Sequence, residues 1–146
     1  MKRAIVVCLS LLVVSRVATS QDAEIKAAAR YVPGVTWHAD SVVRADFTCQ
    51  RRTQTAILGD SPAAVVVAVF LHGLGHRPEV LRFTFPRGST RLEAEALDDD
   101  PKYFDYPRPG FQRSKTCKGL SLDDGETDAA HIYWNHESAG FDYWRN

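Results

Sequence analysis

From residue 42 to residue 135 the chain reads mostly as short strand-like runs, some of them alternating with the two-residue period of a strand with one buried face. Residues 80–85 show this best: Leu81, Phe83 and Phe85 fall on one side, Arg82 and Thr84 on the other. Residues 64–71 (Ala-Val-Val-Val-Ala-Val-Phe-Leu) contain no polar position, which predicts a central strand covered on both faces. Shorter strands are predicted over 42–47 and 55–58, on either side of a polar Gln50-Arg51-Arg52 turn. Two more, over 117–122 and 131–135, are joined through the turn tripeptide Asp123-Asp124-Gly125. Residues 91–97 fit two patterns. Leu92, Ala94 and Ala96 alternate as in a strand, while Thr90 and Glu93 would form the capping box of a short helix. The strand is preferred, as hairpin partner of 80–85 across the Pro-Arg-Gly turn at 86–88. One helix is expected over 22–32, with Asp22 as its cap, an alanine-rich interior and Pro33-Gly34 as its stop.

These elements predict a mainly β domain, with α+β as the alternative: a compact antiparallel sheet or small β-sandwich carrying one short N-terminal helix. Residues 98–110 contain three prolines, an acidic start and the aromatics Tyr103, Phe104 and Tyr106, and read as a long surface loop.

Residues 1–20 follow a different pattern. Lys2 and Arg3 precede an apolar run over 4–14, and Ala18-Thr19-Ser20 supplies the small residues that a signal peptidase reads. A secretory signal peptide over 1–20 is expected, leaving 21–146 as a single globular domain that is exported, periplasmic or secreted. No later apolar segment approaches the roughly 20 residues of a membrane-spanning helix, so no transmembrane segment is expected in the mature chain.

Export changes the charge balance. With residues 1–20 set aside, 15 basic residues face 18 acidic ones, a net of −3, which argues against nucleic acid as a partner. Arginine outnumbers lysine 13 to 5 in the whole chain, a bias of the kind found with GC-rich bacterial genomes. Of the three cysteines, Cys8 leaves with the leader. Cys49 and Cys117 remain as an even pair in an oxidising compartment, and a disulfide between them is expected.

The candidate chemistry is sparse. Val69-Phe70-Leu71-His72-Gly73-Leu74-Gly75 is locally similar to the strand and oxyanion turn of α/β-hydrolases, but the chain has no Gly-x-Ser-x-Gly elbow. Ala45-Asp46-Phe47 with Ala56-Ile57-Leu58 resembles the half-repeat of FG-GAP (integrin-like, VCBS) propeller modules. That resemblance implies an acidic calcium loop. Residues 48–54 instead carry Arg51 and Arg52, with no carboxylate and no glycine, so the metal site does not carry over. The last third, from Gly110-Phe111-Gln112-Arg113 to His131-Ile132-Tyr133-Trp134-Asn135-His136, resembles small exported bacterial domains without an assigned function. That similarity implies a secreted module and brings no catalytic residue with it.

His72, His76, His131 and His136 lack a spacing that would direct them at one zinc ion, and residues 123–128 lack the alternating ligands and distal glutamate of a calcium loop. No metal and no cofactor are expected. The densest cluster runs from Tyr133 to Arg145. Ile132 and Trp134 are expected to face the core, with Phe141 and Trp144 closing over it as a latch. His131, Tyr133 and Asn135 then share the opposite strand face, and with Tyr143 and Arg113 they are the candidate binding residues. Arg108, Arg113, Lys115 and Lys118 could read phosphate or carboxylate on a partner.

The expected function is a non-enzymatic exported module that binds a protein or envelope component through 131–144 and the 101–115 loop. The alternatives are a small hydrolase that uses His131 or His136 with Asp128, Glu137 or Asp142, and a glycan binder that uses exposed tryptophans.

Overall fold

The computed structural model describes residues 15–86 and 88–145, with side chains from residue 21 onward. The apolar run of the expected leader, 4–14, lies outside the described residues.

Helix α1 (Ser15–Tyr31) ends at the Pro33-Gly34 turn, as its sequence implies, but it begins before Asp22, which is therefore interior and not a cap. It runs across the expected Ser20–Gln21 junction. The residues that anchor it, Glu24, Ala27 and Ala28, all follow that junction.

Nine strands follow among the described residues: β1 (Thr36–Trp37), β2 (Val43–Ala45), β3 (Gln54–Asp60), β4 (Val65–Phe70), β5 (Glu79–Phe83), β6 (Arg91–Leu97), β7 (Ser114–Asp123), β8 (Ala130–Asn135) and β9 (Gly140–Trp144). All pairings are antiparallel and form two sheets. One has the order β1-β3-β4-β5, with β2 also on β3, and the other has the order β6-β7-β8-β9. The β-sandwich form of the expected fold is thus the one adopted.

Three apolar layers hold it. Between the sheets, Phe47, Val65, Val67, Val69 and Phe83 meet Leu92, Leu120, Leu122 and Ile132. On the outer face of the first sheet, Ala27, Ala28 and Val32 cover Ile57, Val66, Ala68 and Phe70. Strand β4 is buried at all six positions because helix and second sheet cover its two faces, which is what its unbroken apolar run required. On the outer face of the second sheet, Phe111 covers Leu97, Cys117, Tyr133 and Trp144.

Two local expectations are corrected. β5 and β6 do not form a hairpin. β5 pairs with β4, β6 pairs with β7, and the chain crosses between sheets at 84–90, where Thr90 Oγ1 donates to Pro86 O at 2.8 Å. The longer strand β7 offers β6 a partner at every position and sets Leu92 beside Leu122 in the core. Residues 140–144, expected as a latch, are a strand paired along β8. Their alternation sends Phe141 toward the core and Trp144 to the outer layer.

The expected disulfide is present. Cys49, in the loop after β2, is joined to Cys117 on β7, with Cα atoms 5.1 Å apart. Beside it Lys118 N donates to Asp46 O at 2.9 Å, so the loop of one sheet is fastened to a strand of the other. The Asp46 carboxylate accepts from Gln50 N and Arg51 N at 3.1 and 2.7 Å and closes this loop on itself. Among the described residues no helix is long and apolar enough to cross a membrane.

Candidate functional site

The outer face of the second sheet carries the convergence of polar groups. Strands β6, β7 and β8 lie side by side, so Glu95 on β6 and His131 on β8 are separated by a whole strand. They still meet: His131 Nδ1 donates to Glu95 Oε2 at 2.9 Å. Gly119, the β7 residue paired with Glu95, leaves the space between them open. A Cβ on Gly119 would lie 2.7 Å from Ile132 O, 2.8 Å from Leu97 Cδ2 and 3.3 Å from Glu95 Cγ. Glu95 Oε1 is buried without a hydrogen-bond partner, so the carboxylate charge is balanced chiefly through His131. The hydrogen bond to Glu95 raises the His131 pKa above its ordinary value, against the opposing effect of burial.

Aromatic side chains and an arginine complete the arrangement. Trp144, paired with His131 across β8 and β9, stacks on its ring with centroids 5.0 Å apart and planes 20° from parallel. The Arg108 guanidinium lies 3.6 Å from the centroids of both Phe104 and Trp144 and is clamped between the two rings. No acceptor for its N–H groups is found among the described residues. Burial lowers the Arg108 pKa from its usual value, opposed by Asp99. Arg108, His131 and Trp144 border a cleft of about 270 Å³, whose rim is Asp99, Asp100 and Tyr103.

The loop that carries Arg108 is pinned in place. Tyr133 donates through its hydroxyl to Pro109 O at 3.0 Å, and His136 N donates to Gly110 O at 3.0 Å. Gly110 has φ +63°, and a Cβ there would fall 1.9 Å from Asn135 Oδ1, so glycine is required where the loop docks on the β8–β9 turn. Phe111 packs edge-on against Tyr133 and Trp144, with centroids 5.5 and 6.0 Å away. Burial pushes the Tyr133 phenol up to about 12.

The residues singled out from sequence divide accordingly. His131 lies in the cleft. Tyr133 shares its sheet face but is 2% exposed and serves as a support for the loop. Asn135 is buried, and its Oδ1 accepts from Glu137 N and Ser138 N at 2.9 and 3.1 Å, shaping the β8–β9 turn. Tyr143 lies on the other face of β9, edge-on to Phe83 at 5.0 Å, because it pairs with the core residue Ile132. Arg113 is exposed on the loop, 4.0 Å from Asp100.

Glu95 was absent from the sequence-level site, and its only signal was an outward position in the alternation of 91–97. The partners expected for His131 (Asp128, Glu137, Asp142) are replaced by this residue 36 positions upstream. His72 and His76 form an edge-on pair, with centroids 6.1 Å apart, in an exposed turn on the first sheet. Asp123 and Asp124 spend their carboxylates on backbone N–H groups of the β7–β8 turn, and the donors Thr127 N and Glu126 N hold the Asp124 carboxyl below the usual range. Trp37 is buried, and Trp134 and Trp144 are partly covered by Phe141 and Arg108, so the exposed tryptophan platform of the glycan reading is not presented.

A second histidine–carboxylate pair, absent from the sequence-level candidates, joins His38 Nε2 to Asp60 Oδ2 at 2.9 Å. It borders a separate cleft of about 290 Å³ with Ser41, Thr90 and Glu93.

No family model matches the chain, and neither a curated protein nor a solved structure matches it.

Proposed function

We propose that the protein is an exported, non-enzymatic binding module of the bacterial envelope or secreted fraction, and that its ligand-facing surface is the cleft between the 98–113 loop and strands β8 and β9. The observation that carries this reading is the clamped Arg108 guanidinium, which presents N–H donors without acceptors at an open cleft. A planar, always charged fork held between two rings is preorganised for a carboxylate or similar anion. When protonated, the form that the hydrogen bond to Glu95 favours, His131 adds Nε2–H as a further donor beside the engaged Nδ1–H. The disulfide and the leader-like N-terminus support export.

The hydrolase reading has one observation in its favour, the His131–Glu95 pair. Against it, no serine, threonine or cysteine is among the residues that line this cleft.

The test is affinity capture by the oxidised protein from envelope and secreted fractions, with Arg108→Gln as a control whose fold is verified by circular dichroism. A partner held by the wild type and lost by the folded variant supports the assignment. A partner held equally by both moves binding to another surface.

A further inference from the structure

The cleft described above has three charged or titrating groups left over after its internal bonds are counted. They are the Arg108 N–H groups, His131 Nε2 and the Asp99 carboxylate, which is exposed and makes no ion pair among the described residues. The neighbouring Asp100 is already used: Lys102 Nζ lies 2.9 Å from its Oδ2, Lys102 N donates to its Oδ1 at 3.1 Å, and Arg113 stands 4.0 Å away. The unused charged groups therefore comprise Arg108 and, in its protonated form, His131, both donors suited to an anion, and one carboxylate suited to a cation, all bordering one cleft.

Size and charge narrow the ligand. A cleft of about 270 Å³ lies just below the range of drug-sized pockets, roughly 300 to 1,000 Å³, and suits a small molecule or one end of a larger one. A dianion such as phosphate would meet Asp99 with like charge, a ligand with no acceptor would leave the Arg108 donors unpaired as it displaced water, and a neutral acceptor would leave Asp99 without a counter-charge. A simple cation would satisfy Asp99 and oppose Arg108. A zwitterion satisfies each group in turn.

We propose that this cleft binds an α-ammonium carboxylate, its carboxylate on the Arg108 fork and His131 Nε2 and its ammonium at Asp99. The inference rests on the reading of the cleft as a binding site and adds the class of ligand. The same chemistry is offered by a free amino acid and by the zwitterionic end of a side chain in a larger molecule. With Tyr103 the only uncovered ring on the rim, 77% exposed, the side chain of the ligand meets little that would select it.

The experiment is a ¹H–¹⁵N NMR titration of the oxidised protein with L-alanine, acetate, methylammonium and inorganic phosphate, following the Trp144 indole and the Arg108 side chain. The variants are Asp99→Asn, which changes an exposed loop residue, together with Arg108→Gln and Arg108→Lys. Alanine is expected to bind about tenfold more tightly than acetate, the increment of one added charged contact. Asp99→Asn should reduce alanine to the level of acetate, and Arg108→Gln should lose both. Arg108→Lys should retain weakened binding, because it keeps the charge and loses the fork. Nα-unblocked Nε-acetyl-lysine separates the two sources: equal binding of alanine supports free amino acids, and a strong preference for the longer molecule supports the end of a larger one. If acetate matches alanine and Asp99→Asn has no effect, the zwitterion is overturned while the Arg108 site stands. If none of the probes shifts these signals in the wild type, both readings fall.

Discussion

Two histidine–carboxylate pairs among the described residues have the same 2.9 Å separation and are built in opposite ways. His38 and Asp60 are neighbours by local pairing, since Asp60 pairs with Thr36 and His38 follows directly after β1. The nearby hydroxyl is already committed: Ser41 Oγ donates to His38 O at 2.7 Å and accepts from Leu58 N at 2.9 Å. His131 and Glu95 meet instead across an intervening strand, under a loop that brings an arginine and two aromatic rings to the same place. A histidine–carboxylate contact is therefore weak evidence for a site. Both pairs border clefts; what separates them is that Ser41 and Thr90 at the first are bonded to backbone groups, while the second holds Arg108 clamped between two rings with no acceptor among the described residues.

The comparison can be broken most severely by freeing the layer in which His131 lies. Cys117 is packed with Leu97 and Tyr133 beneath Phe111, and its disulfide closes a loop of 68 residues. A Cys49→Ser/Cys117→Ser variant should lose about 4 kcal/mol of unfolding free energy, the loop-closure entropy of such a span. Urea unfolding of the oxidised wild type against the variant measures this. A loss below about 1 kcal/mol would mean that the disulfide does little to hold the two sheets together. Next in size is Gly119→Ala. The added Cβ meets a backbone oxygen, which cannot give way, and the end of the buried Leu97 side chain, so a cost of about 3 kcal/mol is expected. The NMR signals of His131 and Trp144 should move while those of His38 stay in place. Equal disturbance of both histidines would show that the two pairs are not independent.

The same contrast explains what could be read from sequence. Strands β4, β5 and β8 were legible because each carries its signal within a few residues: an unbroken apolar run over 64–71, alternating residue types over 80–85 and a short β-prone run with Ile132, Tyr133 and Trp134. β9 was not, because Phe141, Tyr143 and Trp144 are aromatic on both faces and hide the alternation. The hairpin expected at 86–88 failed for a related reason. The turn residues are local, but the choice of partner for β6 depends on β7, which begins 17 positions after β6 ends. Within the cleft, His131 could be placed on the outward face of β8, and Arg108 stood out as part of a basic cluster. Glu95 could not be recognised, since its role depends on the sheet order β6-β7-β8 and on the missing side chain of Gly119. Tyr143 was grouped with His131, but a strand places alternate residues on opposite faces, and the register of β9 sends it to the other side.

The smallest expected effect sharpens the comparison through pH. The folded-state pKa of His131 is raised, first by the hydrogen bond to Glu95, and burial acts against it. A raised pKa means that the folded protein holds this proton more tightly than the unfolded chain, whose histidines titrate near about 6.5. The stabilisation is therefore complete below the unfolded value and is lost as pH rises through the folded one. Glu95→Gln keeps an acceptor for the neutral ring and removes the charge that favours the cation. The wild type should exceed this variant in stability by about 1 kcal/mol near pH 5.5, with the difference shrinking toward pH 8.5. Urea unfolding at both pH values reads the difference, and the His131 ring signals should titrate at lower pH in the variant. A stability gap that grows with pH would reverse the sign of the coupling. It would also remove His131 as a second cationic donor beside Arg108 in the cleft.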